Sequence, residues 1–276
     1  MSDYLEQLFG LNGKVAALTG GGGILCGSMA KALGKLGVKC ALLDIFQDKA
    51  EAVAKEVRAT GAEAIAVKCD VLDKASSDAA CAEVVKKFGT VDILINGAGG
   101  NKKEATTSPE LSFFDLPASA LEWVFKLNCV GTIIPSQSFG KFMTQKGEGN
   151  IINISSMSAY HPLTKVAAYS AAKAAISNFT EWLAVHMAQN YSKKIRVNAI
   201  APGFFLTEQN RFLLTDEKTG ALTARGNTII AKTPMGRFGE PEELLGALIW
   251  LLSPSASFVH GIVVPVDGGF NAFSGV

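Results

Sequence analysis

Only three histidines stand among the 276 residues of this chain, and its five cysteines (Cys26, Cys40, Cys69, Cys81 and Cys129) are scattered, odd in number and free of C-x-x-C spacing. A structural zinc needs four such ligands close together, so no metal centre is expected. The cysteines read instead as small core residues in a reducing compartment. No apolar run approaches the length of a membrane span, and Met1-Ser-Asp-Tyr-Leu-Glu lacks the basic-then-apolar pattern of a signal peptide, so the protein reads as cytoplasmic. An excess of one charge is missing too. Lys and Arg number 26 against 25 Asp and Glu, a net +1, and basic residues cluster only as pairs, Lys102-Lys103 and Lys193-Lys194. Nucleic acid is therefore not the expected partner.

Apolar side chains are plentiful. At 48% they suffice for the core of one α/β domain, and no linker or repeat divides the sequence. Short β-branched runs alternate with longer helical segments, the pattern of a parallel sheet covered on both faces. Strands are expected at Lys14–Thr19, Val38–Leu43, Glu63–Val67, Val91–Ile95, Asn150–Ile154, Ile195–Ile200 and Ile262–Val266. Between them lie helices near 24–36, 47–59, 73–88, 119–145, 166–190 and 241–252. Residues 101–118 form a long polar loop, and 204–238, rich in Gly, Thr, Lys and Arg, read as a mobile lid.

Tyr169 and Lys173 lie four apart in a run of small residues, with Ser156 thirteen positions upstream. On a helix, positions i and i+4 share a face, so phenol and ammonium can enter one cleft. A free phenol titrates near ~10, and a neighbouring ammonium is expected to lower that value. A serine hydroxyl from another element could hold a substrate carbonyl or a developing alkoxide. Such a trio suits proton transfer at a carbon that also gains or loses a hydride. Taken alone, Tyr-x-x-x-Lys is as readily a coincidence on a solvated helix face.

A second feature removes that ambiguity. Thr19-Gly20-Gly21-Gly22-Gly23 ends a strand and opens a helix, the setting in which backbone N–H groups and a helix N-terminus receive a pyrophosphate. Gly20, Gly22, Gly23, Ile24 and Leu25 are the expected contacts. Asp44 ends the second strand, where a carboxylate can bond the ribose hydroxyls of NAD and repel the 2′-phosphate of NADP. Asp70 and Val71, after the third strand, are placed near the adenine.

With these residues assembled, the sequence resembles the short-chain dehydrogenase/reductase family over nearly its whole length. Thr19-Gly20, Asp70-Val71, Asn96-Gly-Ala-Gly99, Asn128, Ser156, Tyr169-x-x-x-Lys173, Pro202-Gly203 and Asp267-Gly-Gly269 occur in the family's order. One departure concerns the usual T-G-x-x-x-G-x-G spacing, which would put glycines at 24 and 26; the turn here reads one residue longer. Within the family the sequence is similar to the D-mannonate oxidoreductases (fructuronate reductases) of the short-chain type. This rests on Gly20–Cys26, Asn150–Met157, Asn198–Asn210, Thr233–Gly239 and the terminal Ser274-Gly-Val276.

The resemblance implies a single Rossmann-type doubly wound domain, with a seven-stranded parallel sheet in the order 3-2-1-4-5-6-7 and helices on both faces. It implies an NAD(H)-dependent enzyme interconverting a sugar-acid ketone and alcohol, with D-fructuronate and D-mannonate as the pair, working as a homotetramer or dimer. Tyr169 would be the acid and base, and Ser156, preferred over Ser155 on spacing, would hold the carbonyl oxygen. Lys173 would lower the tyrosine pKa and bind the nicotinamide ribose, passing protons toward a water held by Asn128. Asn96, Ala98, Gly99, Pro202, Gly203 and Thr207 join the cofactor contacts. A sugar acid needs donors for its carboxylate. Candidates are Arg211, Lys165, Asn101 and Lys102, with Ser158 and His161 beside the pocket.

Three other readings remain. A carbonyl reductase of the same fold could act on gluconate-like polyols, steroids or acyl-carrier-protein ketones, though the polar lid disfavours large lipids. A non-catalytic NAD-binding regulator would be expected to have lost Tyr169 or Lys173. The Ala/Ser-rich face of 167–177 could simply pack helices, which is compatible with catalysis.

Overall fold

The computed structural model describes residues 3–206, 214–216 and 219–275. Seven parallel strands form one sheet: β1 (Val15–Thr19), β2 (Lys39–Asp44), β3 (Ala64–Lys68), β4 (Ile93–Asn96), β5 (Gly149–Ile154), β6 (Ile195–Pro202) and β7 (Val263–Val266). Their spatial order is β3-β2-β1-β4-β5-β6-β7, the single-domain doubly wound arrangement. The order reverses between β1 and β4, whose registers pair Ala16 with Ile93 and Thr19 with Asn96. A crevice opens at that switch point, beyond the carboxyl ends of the strands.

Both faces of the sheet are covered, which is why the inner strands read as unbroken apolar runs rather than alternating ones. Successive residues of β1 feed opposite cores. Ala16 and Leu18 pack with Met29 and Leu33 of α2 (Ile24–Lys35), Ala54 of α3 (Gln47–Arg58) and the segment Leu244–Leu252. Val15 and Ala17 pack with Val84 of α4 (Lys74–Phe88), Phe139 and Met143, and Leu183 of the helix after β5. All five cysteines are free and buried. Among the described residues no helix is long and apolar enough to cross a membrane, and no cluster of potential ligands could hold a metal.

Local signals account for the helix ends. Asp73 accepts a hydrogen bond from the Ala75 N–H, and Gly89 closes α4 at φ 81°, a left-handed conformation suited to glycine. Three details differ from expectation. A further helix, α1 (Asp3–Phe9), precedes β1; it spans only seven residues and buries none of them, so core packing does not impose it. The helix expected at 119–145 consists of α5 (Ala118–Phe125), a π-helical segment Lys126–Val130, and α6 (Gly131–Lys146). The segment expected as a helix at 241–252 begins as a 3₁₀ turn, Pro241–Leu244, under a Glu240/Glu243 capping box. Among the described residues the remaining α-helices are α7 (Ala167–Asn190), α8 (Ala224–Ala231) and α9 (Leu245–Leu252).

Candidate active site

The site is assembled where β1, β4, β5 and β6 end. Gly20 alone of the four-glycine turn has a positive φ, 64°. A Cβ there would also lie 2.9 Å from the Ala98 Cα. At Gly21 and Gly22 a Cβ would stand 2.8 Å from the Leu42 Cα and 2.7 Å from the Lys49 Cβ, so these two let the turn lie flat on β2 and α3. Their N–H groups are spent inside the protein. Gly21 donates to the Leu43 carbonyl (3.0 Å), Gly22 to Asp44 Oδ2 (3.0 Å) and Gly23 to the Gly20 carbonyl (2.9 Å). A pyrophosphate therefore has the next N–H groups to meet, those of Ile24 and Leu25. They open α2, where a helix's first turn has no internal acceptors. Both residues line the cleft described below.

Asp44 bridges two loops: Oδ2 takes the Gly22 N–H and Oδ1 the Phe46 N–H (3.0 Å). The carboxylate is thus held, half-buried, at the outer end of the crevice, and no Arg or Lys stands in its immediate sequence. The remaining lone pairs of this acceptor can take the hydroxyl protons of a ribose diol. Asp70 Oδ1 accepts from the Leu72 N–H (2.9 Å), and buried Val71 packs against Gly131 at the head of α6. The two follow the carboxyl end of β3, on the side of the sheet next to Asp44.

Thr19, wholly buried, ties the two central turns together: its Oγ1 accepts the N–H groups of Gly97 (3.1 Å) and Ala98 (3.2 Å). A Cβ at Gly97 would lie 2.1 Å from Cys26 Sγ, so the cysteine at 26 requires a glycine at 97. Asn128 lies within the π-helical segment, a distortion frequent at functional sites. Its Nδ2 donates to the carbonyls of Gly100 (2.7 Å) and Val124 (2.8 Å), and its Oδ1 accepts from the Gly100 N–H (3.2 Å). Gly99 runs between Asn128 and Lys173; a Cβ there would stand 2.6 Å from Asn128 Oδ1 and 3.5 Å from Lys173 Nζ.

Ser156 stands two residues beyond β5 and caps the short turn Met157–Ala159, its Oγ accepting the Ser158 N–H (3.2 Å). Its hydroxyl stands near the Tyr169 phenol and favours the ionised form of that phenol. Ser155 faces the other way, donating to the Lys173 carbonyl (3.1 Å) and lying 2.8 Å from Ser177 Oγ, so it anchors α7. Lys173 is 5% exposed; its Nζ donates to the Ile154 carbonyl (2.8 Å) and stands 5.6 Å from the centre of the Tyr169 ring. Burial lowers the Lys173 pKa to about 8, with Cys26 opposing the shift. The Tyr169 pKa is raised, not lowered as the Tyr-x-x-x-Lys spacing suggested. Desolvation of the phenol outweighs the opposing influence of the Ser156 hydroxyl. The expected ammonium effect is thus corrected: burial shifts both groups toward their neutral forms.

A cleft of about 290 Å³ joins these parts, lined by Leu25, Gly99, Ser156, Tyr169, Lys173 and Gly203 among others. Pro202 and Gly203 enter it from β6; a Cβ on Gly203 would meet the Asp267 Cα at 2.6 Å. Sequence reasoning missed Gly97, Gly100, Ile154, Ser155, Phe204 and Phe205 as cleft walls. The two phenylalanines follow Pro202-Gly203 directly, but belonged there to the expected lid. That segment is pinned at its base: the Gly239 N–H donates to the Phe204 carbonyl and the Leu206 N–H to the Gly239 carbonyl, both at 2.9 Å.

Other expected contacts lie elsewhere. The Asn96 side chain is a correction, being buried and donating to Ser136 Oγ and Asn153 Oδ1 (both 2.9 Å), where it braces β4 against α6 and β5. Ser158 Oγ is enclosed by protein and does not face the cleft. Asn101 donates to Thr106 Oγ1 (2.8 Å), and Lys102 lies over the Trp123 ring. The His161 ring nitrogen Nε2 bonds the Asn271 carbonyl (2.8 Å), and Lys165 is exposed. None of these four lines the cleft. Thr207 and Arg211 lie outside the described residues.

Residues 25–271 match the family model described as enoyl-(acyl carrier protein) reductase. The uncharacterized oxidoreductase UxuB of Bacillus subtilis is 52% identical over 275 residues, covering 96% of this chain and 98% of its own. The 5-keto-D-gluconate 5-reductase of Escherichia coli K12 is 32% identical over 265 residues, with 96% and 98% covered. Among solved structures, one from Haemophilus influenzae with bound NAD, provisionally named D-mannonate oxidoreductase, is 50% identical. It superposes with a TM-score of 0.91, covering 96% of this chain and 98% of that one.

Proposed function

Because the protein belongs to the short-chain dehydrogenase/reductase family of oxidoreductases, we propose that it interconverts D-fructuronate and D-mannonate with NAD(H). The observation that carries the chemistry is the gathering of Ser156, Tyr169 and Lys173 on one cleft, with Lys173 Nζ 5.6 Å from the Tyr169 ring centre, beside the exposed start of α2. The substrate reading rests on the half-identical protein from Haemophilus that carries the D-mannonate name.

The nicotinamide, when bound, supplies or accepts the hydride; the protein's own residues handle the oxygen and its proton. During reduction Ser156 donates to the substrate oxygen and Tyr169 delivers the proton; during oxidation Tyr169 takes it back. The raised phenol pKa suits the reductive direction, since the donor stays protonated at neutral pH. Lys173 stabilises the phenolate that forms, and Asn128, beside Gly99, positions the route by which Tyr169 is reprotonated. Ile24 and Leu25 receive the pyrophosphate, with Asp44 on the adenosine ribose and Asp70 and Val71 at the adenine. Ala98, Gly99, Pro202, Gly203 and Thr207 flank the remainder of the cofactor. The exposed aromatic surface of α5 and α7, with Trp123, Phe125 and Trp182, supports assembly as a homotetramer or dimer.

Asp44 gives NAD its preference over NADP. Replacing Asp44 by Ser together with Ile45→Arg is expected to raise NADPH use relative to NADH by an order of magnitude or more in initial-rate assays. Equal use of both cofactors by the wild type would show that the ribose contact is misassigned.

Lys173 is the single cation among the cleft-lining residues described, so the substrate carboxylate needs a partner from the neighbouring segment. Arg211 is that partner in this proposal. Losing a charge-assisted contact costs roughly 1.5–3 kcal/mol, about one to two decades in kcat/KM. Arg211→Ala should lose that much on fructuronate and little on a neutral ketose. Equal losses on both would assign Arg211 to folding of its segment. A second reading, 5-ketogluconate reduction, is favoured by the Escherichia coli relative. A panel of hexuronates and aldonates assayed with NADH or NAD separates the two; no turnover of fructuronate or mannonate overturns the first.

A further inference from the structure

At the opposite edge of the sheet, below the amino ends of β5 and β6, lies a cavity of about 200 Å³ unconnected with the chemistry above. Its walls carry Lys14, Lys146, Lys194 and Arg196 against Asp92 and Glu148. Asp92 is already neutralised: its Oδ1 is ion-paired with Lys146 and its Oδ2 accepts the Val15 N–H (2.8 Å). Glu148 reaches Lys146 only at 3.9 Å. Lys14, Lys194 and Arg196 make no ion pair among the described residues.

Arg196 and Asn150 are register partners on adjacent strands, so their side chains leave the same face side by side. Each is incompletely satisfied. Arg196 Nη2 donates to the Ser253 carbonyl (3.3 Å), while Nη1 is buried and has no partner among the described residues. Asn150 is 6% exposed; its Nδ2 donates to the carbonyls of Leu251 (3.1 Å) and Leu252 (3.4 Å), leaving Oδ1 buried without a donor. Those two carbonyl acceptors fix which end of the amide is nitrogen, so the orphan is an acceptor. A desolvated guanidinium without a counter-charge is costly, and burial accordingly lowers the Arg196 pKa.

A buried donor that is cationic, beside a buried acceptor, calls for a ligand offering both negative oxygens and a proton. We propose that this cavity is a binding site for a small protonated oxyanion of the monohydrogen-phosphate type, accepting from Arg196 and Lys194 and donating to Asn150 Oδ1. The site ties the end of α9 and the segment after α1 to the base of the sheet, through Ser253 and Leu11 on its walls. Occupancy therefore stabilises the fold by mass action, at a distance from the cleft.

The test is thermal unfolding of the full-length protein held at saturating NADH, which occupies the pyrophosphate-binding end of α2. Inorganic phosphate is titrated at pH 7.5 against chloride and sulfate at matched ionic strength. Phosphate should raise the midpoint saturably, by about 3 °C or more for a protein of this size. Sulfate, which carries no proton at this pH, should do markedly less. Arg196→Met should abolish the phosphate increment, and the surface variant Lys194→Ala should weaken its concentration dependence several-fold, which keeps the test decisive if Arg196→Met does not fold. Turnover at saturating substrate should be unchanged in Lys194→Ala. An equal response to chloride, or a phosphate increment that survives in Lys194→Ala with unaltered midpoint concentration, would overturn the proposal and leave the two orphan atoms to ordinary water.

Discussion

Tyr169→Phe should lower turnover by at least two decades while NADH affinity stays within about twofold. The ring keeps its place on α7, but the proton that general acid–base catalysis moves is gone, and such groups contribute about 10²–10⁴-fold. The measurement pairs steady-state reduction of fructuronate with fluorescence titration of NADH. Residual turnover above a tenth of wild type would sink the assignment of Tyr169 as proton donor. Because burial raises the phenol above its ordinary value, the wild-type enzyme should show no loss of reductive activity attributable to Tyr169 between pH 6 and 8.

Lys173→Met should cost a comparable amount and change the pH profile as well. The Lys173 pKa is lowered to about 8, so the ammonium is present below that pH and disappears as pH rises through it. Reductive kcat should therefore fall above about pH 8 in the wild type, and that limb should vanish in Lys173→Met. An unchanged profile would remove Lys173 from its electrostatic role. The stability consequence has the opposite sense. Between about pH 8 and the ordinary lysine value of 10.5 the unfolded protein binds more protons than the folded one, so this group's contribution to stability rises with pH across that window. At pH 7 the fold carries the cost of a buried ammonium. Lys173→Met should consequently melt no lower than wild type, which separates lost catalysis from lost structure.

The two variants divide the site by what each group must be: a proton in one case, a charge in the other. Ser156 links them, because its hydroxyl favours the ionised phenol while its neighbour Ser155 holds the lysine's own backbone. A helix carrying Tyr169 and Lys173 is thereby fixed to the end of β5 through two adjacent serines with different tasks.

Much of this was legible in the residues themselves. The apolar runs ending in Thr19, Asp44 and Ile154, the helix stop at Gly89 and the i, i+4 placement of Tyr169 and Lys173 are local consequences of backbone sterics and apolar spacing. The crevice residues that needed only a strand end or a helix start, such as Asp44, Ile24 and Ser156, could be placed the same way. What required the tertiary structure was every property set by a neighbour distant in sequence. The glycine turn gives its own N–H groups to Leu43 and Asp44, which leaves those of Ile24 and Leu25, at the open start of α2, as the ones free to meet an anion. Asn96 turns inward to Ser136 and Asn153, 40 and 57 residues away. Cys26 demands glycine at 97, and desolvation reverses the expected direction of the Tyr169 pKa. Local spacing specifies which groups can share a face; burial and the partners brought by other strands decide which way each points and which protonation state it keeps.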